Sequence, residues 1–115
     1  MADIFCKIVS GEIPSNPVLE GKDWIAINDI HPQAPVHILI IPKKHIAAVA
    51  SLEETDSAIV GSLLYASRLV AEKTGIAKTG FRVIINHGED GGQTVPHLHV
   101  HVLGGKNLGA KMIRD

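Results

Sequence analysis

The chain has 115 residues, 45% of them hydrophobic and 20% charged, and its formal net charge is -1 at pH 7. The length predicts a single domain, residues 1–115, and excludes two independent hydrophobic cores. The balanced charge argues against binding to nucleic acids or membrane surfaces, and no apolar stretch approaches the ~20 residues of a membrane span. A single cysteine, Cys6, and the lack of a basic segment followed by an apolar run at the N-terminus favour a location in the cytoplasm.

The first half of the chain predicts one short helix and three strands. Asp3 is a typical N-cap for a helix with apolar residues at positions 4, 5, 8 and 9, and Gly11 is suited to end it. Residues 18–20 and 24–27 flank a Gly-Lys-Asp turn and predict a hairpin. The β-branched run at 37–41 predicts a buried strand.

The second half predicts one long helix and two further strands. Apolar residues recur at helical spacing between about 55 and 74, and Gly75 follows as a stop signal. Residues 81–86 and 95–103 predict strands that are separated by a loop at 87–94. Since strands predominate and several connections are short, the sequence predicts an α+β fold with an antiparallel sheet and one or two helices on one side.

Three histidines alternate with apolar residues in the last predicted strand: His97, His99 and His101. Side chains of a strand alternate between faces, so the three imidazoles should share one face. A straight strand holds the Cα atoms of the outer two roughly 13 Å apart, which argues against one zinc ion bound by all three, although two adjacent histidines could bind one with ligands from elsewhere. A neutral imidazole is a nucleophile, and its neighbours can donate to phosphate oxygens, so the row indicates phosphate chemistry. The preceding Gly91 and Gly92 are typical of either a hairpin turn or a phosphate-binding loop.

Residues 97–103 match the His-x-His-x-His-x-x motif of the histidine triad (HIT) superfamily, which the chain resembles over nearly its whole length. The other matching segments are 4–8, 11–14, 29–37, 41–45, 91–94 and 104–105. Together they resemble the histidine triad nucleotide-binding (Hint) branch more than the dinucleoside polyphosphate hydrolase or transferase branches. The resemblance implies a five-stranded antiparallel sheet with one long and one short helix, extended to ten strands in a homodimer.

The resemblance also implies a purine nucleoside phosphoramidase, which cleaves the P–N bond between a nucleoside monophosphate and an amine through a nucleotidyl-histidine intermediate. It makes His99 the nucleophile, lets His101 orient the phosphate and His97 support the triad, and adds His37 as a fourth histidine. It implies a nucleotide pocket in which Asp29 binds the ribose, Asn86, Gly92, Gln93 and Thr94 hold the phosphate, and Ile4, Phe5, Ile8, Ile27, Ile30 and Leu39 surround the base.

Several of these residues have a simpler interpretation. Phe5, Ile8 and Leu39 are equally consistent with an ordinary core, and Asp29 with a turn cap. Dinucleoside polyphosphates and adenylyl sulfate are alternative substrates for the same nucleophile, and a nucleotide-binding interaction module is a third hypothesis.

The resemblance raises the question of a structural metal. Many bacterial relatives hold zinc with a Cys-x-x-Cys pair and two histidines; here Asp3 and Cys6 stand at the cysteine positions, and His45 and His97 at the histidine positions. Because the first cysteine is replaced, we expect no metal, and the chemistry itself should need no cofactor. Zinc accepts carboxylates, so an Asp-Cys-His-His site is retained as the alternative. Residues 106–115 lack the tryptophan that some relatives place against the partner's active site.

Overall fold

The computed structural model of the chain describes residues 3–110. Residues 1–2 and 111–115, which belong to the predicted domain and to its C-terminal tail, lie outside the described residues. The elements are α1 (Ile4–Ser10), β1 (Leu19–Glu20), β2 (Trp24–Asn28), β3 (Val36–Pro42), α2 (Ser57–Thr74), β4 (Phe81–Ile84), α3 (Gly88–Gly91) and β5 (Val100–Gly104), with two 3-10 turns at Val49–Ser51 and Glu54–Asp56.

The strands form one five-stranded sheet in the order β1-β2-β3-β5-β4, and every neighbouring pair is antiparallel. The predicted α+β fold with one long and one short helix is confirmed, with the four-residue α3 as an addition inside the predicted loop 87–94. Among the described residues, no helix combines the length and the apolar character that crossing a membrane requires.

The two longer helices cover opposite faces of the sheet, whereas the sequence predicted helices on one side. On β3, Ile38 and Ile40 belong to the core under α2, while Leu39 and Ile41 pack with Phe5 of α1. This strand is buried on both faces, so apolar cover is needed on each side. The α1 face is the one that carries the histidines.

Local signals set the ends of both longer helices. The Asp3 carboxylate accepts the backbone N–H of Cys6 at 2.7 Å and caps α1. Gly11 ends α1 in the left-handed conformation at φ +81°, and Gly75 ends α2 in the same way at φ +82°. Helix α2 begins at Ser57, two residues after the predicted start, because a 3-10 turn occupies the preceding residues.

The last strand is shorter than predicted. It begins at Val100, so the expectation of a strand from residue 95 is wrong for its first five residues. Pro96 has no N–H to give to a sheet, and the His97 N–H turns back to the Val95 carbonyl at 2.8 Å. The Leu98 N–H then bonds to the Ile46 carbonyl, so this segment passes along the residues after β3.

Candidate active site

His37 and His101 form a relay of hydrogen bonds that starts at the backbone. The Gln33 N–H donates to His37 Nδ1 at 3.0 Å, so the His37 proton is on Nε2. That nitrogen lies 2.9 Å from His101 Nδ1 and 3.4 Å from the Asp29 carboxylate. His101 Nδ1 accepts the hydrogen bond from this N–H, and the neutral His101 ring must therefore carry its own hydrogen on Nε2.

His99 has the opposite arrangement of hydrogen and lone pair. Its Nδ1 lies 2.8 Å from the carbonyl oxygen of His97, which can only accept, so Nδ1 carries the hydrogen. The lone pair of His99 is then on Nε2. The ring is buried, with its centroid 5.0 Å from that of His101 and 5.0 Å from that of Phe5. Adjacent imidazoles thus present one lone pair and one N–H.

The surroundings of His101 keep it neutral. Burial is the largest effect, followed by the neighbouring His99 and His37, and together they lower its pKa to about 4; Asp29 acts in the opposite direction. At neutral pH this side chain is an uncharged donor, which suits a site that must both bind and release an anion.

The loop before the histidines uses many of its polar groups internally. The Gln93 amide donates to the carbonyls of Ala47 and Val95 at 2.8 and 2.9 Å, and its oxygen accepts the Gly88 N–H at 3.0 Å. The Gly92 N–H bonds to the Glu89 carbonyl and closes α3. In this arrangement these groups hold the loop in shape, and the phosphate contacts expected of them stay a prediction.

The remaining predicted phosphate ligands lie around this loop. Thr94 is exposed, and Asn86 is half-buried two residues after the end of β4, with its backbone against Gly91. Asp29, the predicted ribose ligand, also caps a turn, because one of its carboxylate oxygens accepts the His31 N–H at 2.8 Å as in an Asx turn. Its other oxygen lies toward His37.

The predicted base-binding residues divide into two groups. Phe5, Ile8, Ile27 and Leu39 share one apolar cluster on the α1 face of the sheet. Since Leu39 pairs directly with His101, this cluster borders the histidines. Ile4 and Ile30 are outside it, with exposed fractions of 48% and 83%.

His97 contacts a different set of residues from its two neighbours in the motif. Its ring is fully buried, and Nε2 donates to the carbonyl of Pro42 at 3.0 Å. Its Nδ1 lies 3.5 Å from Cys6 Sγ, 3.2 Å from His45 Nδ1 and 3.2 Å from the Asp3 carboxylate. His99, His101 and His37 therefore form one group, whereas His97 belongs to a second group with Asp3, Cys6 and His45.

A model of the HIT domain matches residues 10–108. The chain belongs to the HIT family. Adenylylsulfatase HINT1 of Arabidopsis thaliana is 48% identical over 107 residues, which cover 91% of this chain and 72% of that protein. The 14 kDa zinc-binding protein of Zea mays is also 48% identical over 107 residues, covering 91% of this chain and 83% of that protein.

A HIT family hydrolase from Legionella pneumophila has the same fold. Its crystal structure matches with a TM-score of 0.91 at 42% identity, covering 94% of this chain and 96% of that chain. These similarities confirm the predicted HIT family and its Hint branch, and with them a nucleotide-binding hydrolase of this family.

A metal fits the group around His97 in this HIT protein. A tetrahedral zinc ion with bonds of about 2.0–2.3 Å holds its donor atoms about 3.3–3.6 Å apart. Cys6 Sγ and His45 Nδ1 are separated by 3.2 Å, and the Asp3 carboxylate and His45 Nδ1 by 3.2 Å. All four side chains offer a ligand atom within 4.8 Å of the others. The donors support the alternative retained from the sequence.

Sequence reasoning missed two backbone groups of the HIT site. The Gln33 N–H fixes the tautomer of His37, and the His97 carbonyl fixes that of His99. Backbone groups leave no signature in residue type. The prolines at 32 and 35 on either side of Gln33 were the available hint of a rigid loop.

Proposed function

We propose that this HIT protein hydrolyses the P–N bond of purine nucleoside 5′-phosphoramidates, with His99 as nucleophile. The observation that carries the proposal is the opposite placement of hydrogens on His99 and His101. An in-line displacement at phosphorus needs a lone pair on one side and, for an amine leaving group, a proton on the other. Two neighbouring neutral imidazoles with fixed and different tautomers supply the lone pair and an N–H that can hold a proton-donating water at the leaving group.

In the first step, the Nε2 lone pair of His99 forms a bond to phosphorus and the P–N bond breaks. The departing nitrogen keeps the bonding electron pair and takes a proton from a water molecule that the Nε2–H of His101 holds in place, so it leaves as a neutral amine and a hydroxide remains. His99 keeps its Nδ1 hydrogen, and the positive charge that develops on the ring is stabilised by the His97 carbonyl.

In the second step, this hydroxide attacks the nucleotidyl-histidine and the P–Nε2 bond breaks. The bonding electrons return to His99, which becomes neutral again. The hydrogen of the hydroxide stays with the new phosphate oxygen. The sum is phosphoramidate plus water giving nucleoside monophosphate plus amine.

The apolar cluster on the α1 face supports a base-binding role. Its members Ile8 and Ile27 are half-buried beside the buried Phe5 and Leu39, so part of the cluster can be reached from solvent. A purine ring could cover this surface, with the ribose toward Asp29. This cluster borders His101, so a base bound on it would lie beside the histidines that act on the phosphate.

Hydrolysis of adenylyl sulfate is the second candidate, because a 48% identical relative is named an adenylylsulfatase. The two reactions differ in what the leaving group needs. Sulfate is a weak base and leaves without a proton, whereas an amine requires one. The His101 N–H therefore favours the phosphoramidate. The leaving group of a dinucleoside polyphosphate is also a weak base, so it resembles sulfate and can leave without a proton.

We also propose a homodimer in which two sheets join through β4. This strand is at the edge of the sheet, and an apolar groove beside it includes Val49, Leu64 and Ile85, which are 42%, 65% and 44% exposed. An uncovered strand edge next to exposed apolar side chains favours pairing with a second copy. Two sheets joined in this way give ten strands. The cytoplasmic location stays a prediction from the sequence.

The deciding experiment is turnover of an adenosine 5′-phosphoramidate with a reporter amine, by the native protein and by His99→Ala. We expect the native protein to release the amine and the variant to bind nucleotide without turnover. Release of sulfate from adenylyl sulfate with no phosphoramidate turnover would favour the second candidate. Nucleotide binding without turnover of phosphoramidate, adenylyl sulfate or a dinucleoside polyphosphate would favour an interaction module.

A further inference from the structure

Arg82 lies on the catalytic face of the sheet, and the two reaction steps leave it without a role. We propose that Arg82, together with Lys106, binds a carboxylate on the leaving amine, so that the preferred substrates are nucleoside phosphoramidates of amino acids. This inference rests on the proposed phosphoramidase function and names the class of amine that the enzyme releases. The P–N bond is still the bond that breaks, and the carboxylate passes unchanged into the released amino acid.

The register of the sheet places Arg82 on the same face as His37. Arg82 of β4 pairs with Leu103 of β5, and Leu103 pairs with His37 of β3, so the three residues form one row across the sheet. Side chains that are directly opposite each other in an antiparallel pair point to the same face. The next residue along β4, Val83, packs in the core under α2, so Arg82 points to the α1 face, where the histidines lie.

Arg82 and the nucleophile lie on opposite sides of His101. Along the chain, Leu103 comes two residues after His101, whereas His99 comes two residues before it. As the partner of Leu103, Arg82 is a diagonal neighbour of His101, at a distance of about 7–8 Å between backbones. An in-line displacement places the nucleophile and the leaving group on opposite sides of phosphorus. A phosphate that is bound at His101 and attacked by His99 therefore releases its amine toward Arg82.

A basic cleft adjoins Arg82 at this end of the sheet. Its volume is about 660 Å³, within the range of sites that bind small molecules. The polar side chains of its lining are those of Thr79, Arg82, Lys106 and Asn107. Among the described residues that line the cleft, none has a carboxylate side chain. Two cations in such a cleft attract an anionic group, and the amine of an amino acid carries one next to its nitrogen.

The guanidinium of Arg82 is held in place by the chain itself. Its Nη2 donates to the Gly109 carbonyl at 2.6 Å, which uses one of the five N–H groups of the side chain. The guanidinium can still bind a carboxylate through two parallel hydrogen bonds, a geometry that its planar fork matches and an ammonium does not. Because the side chain is oriented before a substrate arrives, less conformational freedom is lost upon binding.

The segment 105–109, which forms one wall of the cleft, is tied to the loop that orients His37. Gly105 has φ +90° and lies against Pro35, where a Cβ atom would come within 2.9 Å of the proline Cβ. A side chain here would be strained and would displace the loop. Pro35 is two residues from Gln33, whose N–H fixes the His37 ring. The cleft and the catalytic group are therefore held together by direct contacts.

The role of Arg82 is compatible with the proposed dimer. The apolar groove beside β4 contains Val83 and Ile85, which point to the α2 face of the sheet. Arg82 alternates with them and points to the other face. A second copy that pairs with the backbone of β4 and covers this groove would therefore contact the face opposite to the carboxylate site.

The test compares adenosine 5′-phosphoramidates of glycine, glycinamide and ethylenediamine, which end in a carboxylate, a neutral amide and an ammonium. We expect the native protein to favour the glycine compound and to be slowest with the ethylenediamine compound. In Arg82→Gln, kcat/KM for the glycine compound should fall on the order of tenfold more than kcat/KM for the glycinamide compound, which corresponds to about 1.4 kcal/mol. Because each compound is compared with itself, differences in leaving-group basicity cancel.

Equal losses for the glycine and glycinamide compounds in Arg82→Gln would overturn the proposal, since they would mean that Arg82 only supports the fold. Release of no amine from any of the three compounds by the native protein would instead refute the phosphoramidase function. These two failures are therefore distinguishable.

Three further variants sharpen the test. Arg82→Lys keeps the charge but loses the planar fork, so it should recover part of the preference for the glycine compound. Lys106→Gln should reduce this preference as well. Arg68→Gln is the matched control, because Arg68 is an exposed arginine of α2 that lies 3.7 Å from Glu72, and it should keep the native preference. Loss of the preference in Arg68→Gln would assign it to the net charge of the protein and would also overturn the proposal.

Discussion

His37 and His101, on adjacent strands, are joined by a ring-to-ring hydrogen bond of 2.9 Å from Nε2 to Nδ1. Because the Gln33 N–H occupies the other nitrogen of His37, the shared hydrogen belongs to His37. The bond therefore fixes the His101 hydrogen on Nε2, where it can donate a hydrogen bond to the water that protonates the leaving group. His37 acts through His101 and is a positioning residue.

Replacing His37 should impair protonation of the leaving group more than nucleophilic attack. In His37→Leu, the tautomer of His101 is no longer fixed, and we expect kcat for an amine-releasing substrate to fall about 10²-fold, within the range of a general-acid contribution. A nucleoside phosphate ester of p-nitrophenol, whose leaving group needs no proton, should lose far less. Steady-state kinetics on both substrates measures the difference.

The matched control for this prediction is His37→Gln. The glutamine amide can place an N–H near the position of Nε2 and donate to His101, so it should restore much of the lost kcat. Equal losses with both substrates, or no rescue by glutamine, would mean that His37 is only a packing residue.

The low pKa of His101 predicts a stability that depends on pH. The pKa is about 4 in the folded chain against 6.5 for an unperturbed histidine, so between these values the unfolded chain binds a proton that the folded chain does not. The free energy of unfolding should therefore fall as the pH is lowered from about 6.5 to 4. Urea unfolding at several pH values checks this, and His101→Asn should flatten the dependence in that interval. An unchanged slope in the variant would assign it to other groups.

The elements that depend on local signals could be predicted from the sequence. Asp3 and Gly11 mark the two ends of α1, and Gly75 marks the end of α2, as observed. These signals work because caps and left-handed turns restrict which residue types fit, whatever the surroundings.

The position of His97 depended on contacts that no local pattern contains. An ideal strand would have aligned it with His99, but Pro96 interrupts the ladder and the Leu98 N–H bonds to Ile46, which lies far away in sequence. The engagement of the Gln93 side chain by Ala47 is equally non-local. In this site the sequence shows which residues have reactive side chains. Packing between segments that are distant in sequence determines which of these side chains come into contact.

Gln93 should contribute to stability as a brace of the loop before the histidines. In Gln93→Glu, a carboxylate oxygen would face the carbonyls of Ala47 and Val95, which now accept from the amide. We expect the free energy of unfolding to fall by about 1–3 kcal/mol, the cost of leaving buried polar groups without partners. Urea denaturation measures this loss.

The exposed neighbour Thr94 provides the control for the brace. Thr94→Ala should leave stability within about 0.5 kcal/mol of the native protein, as surface substitutions usually do, and should weaken nucleotide binding if the hydroxyl contacts the phosphate. If Gln93→Glu is as stable as Thr94→Ala, the hydrogen bonds of Gln93 do not hold the loop.

The proposed dimer predicts that a charge in the groove beside β4 produces monomers. Ile85 is 44% exposed in this groove, and a lysine there would have to bury its ammonium against the second copy. Light scattering at a fixed protein concentration should give the mass of a dimer for the native chain and half of it for Ile85→Lys. Ile30→Lys is the matched control, because Ile30 is 83% exposed but lies in the β2–β3 loop away from the groove. A monomeric native chain, or dissociation by the Ile30 variant as well, would rule out pairing through β4.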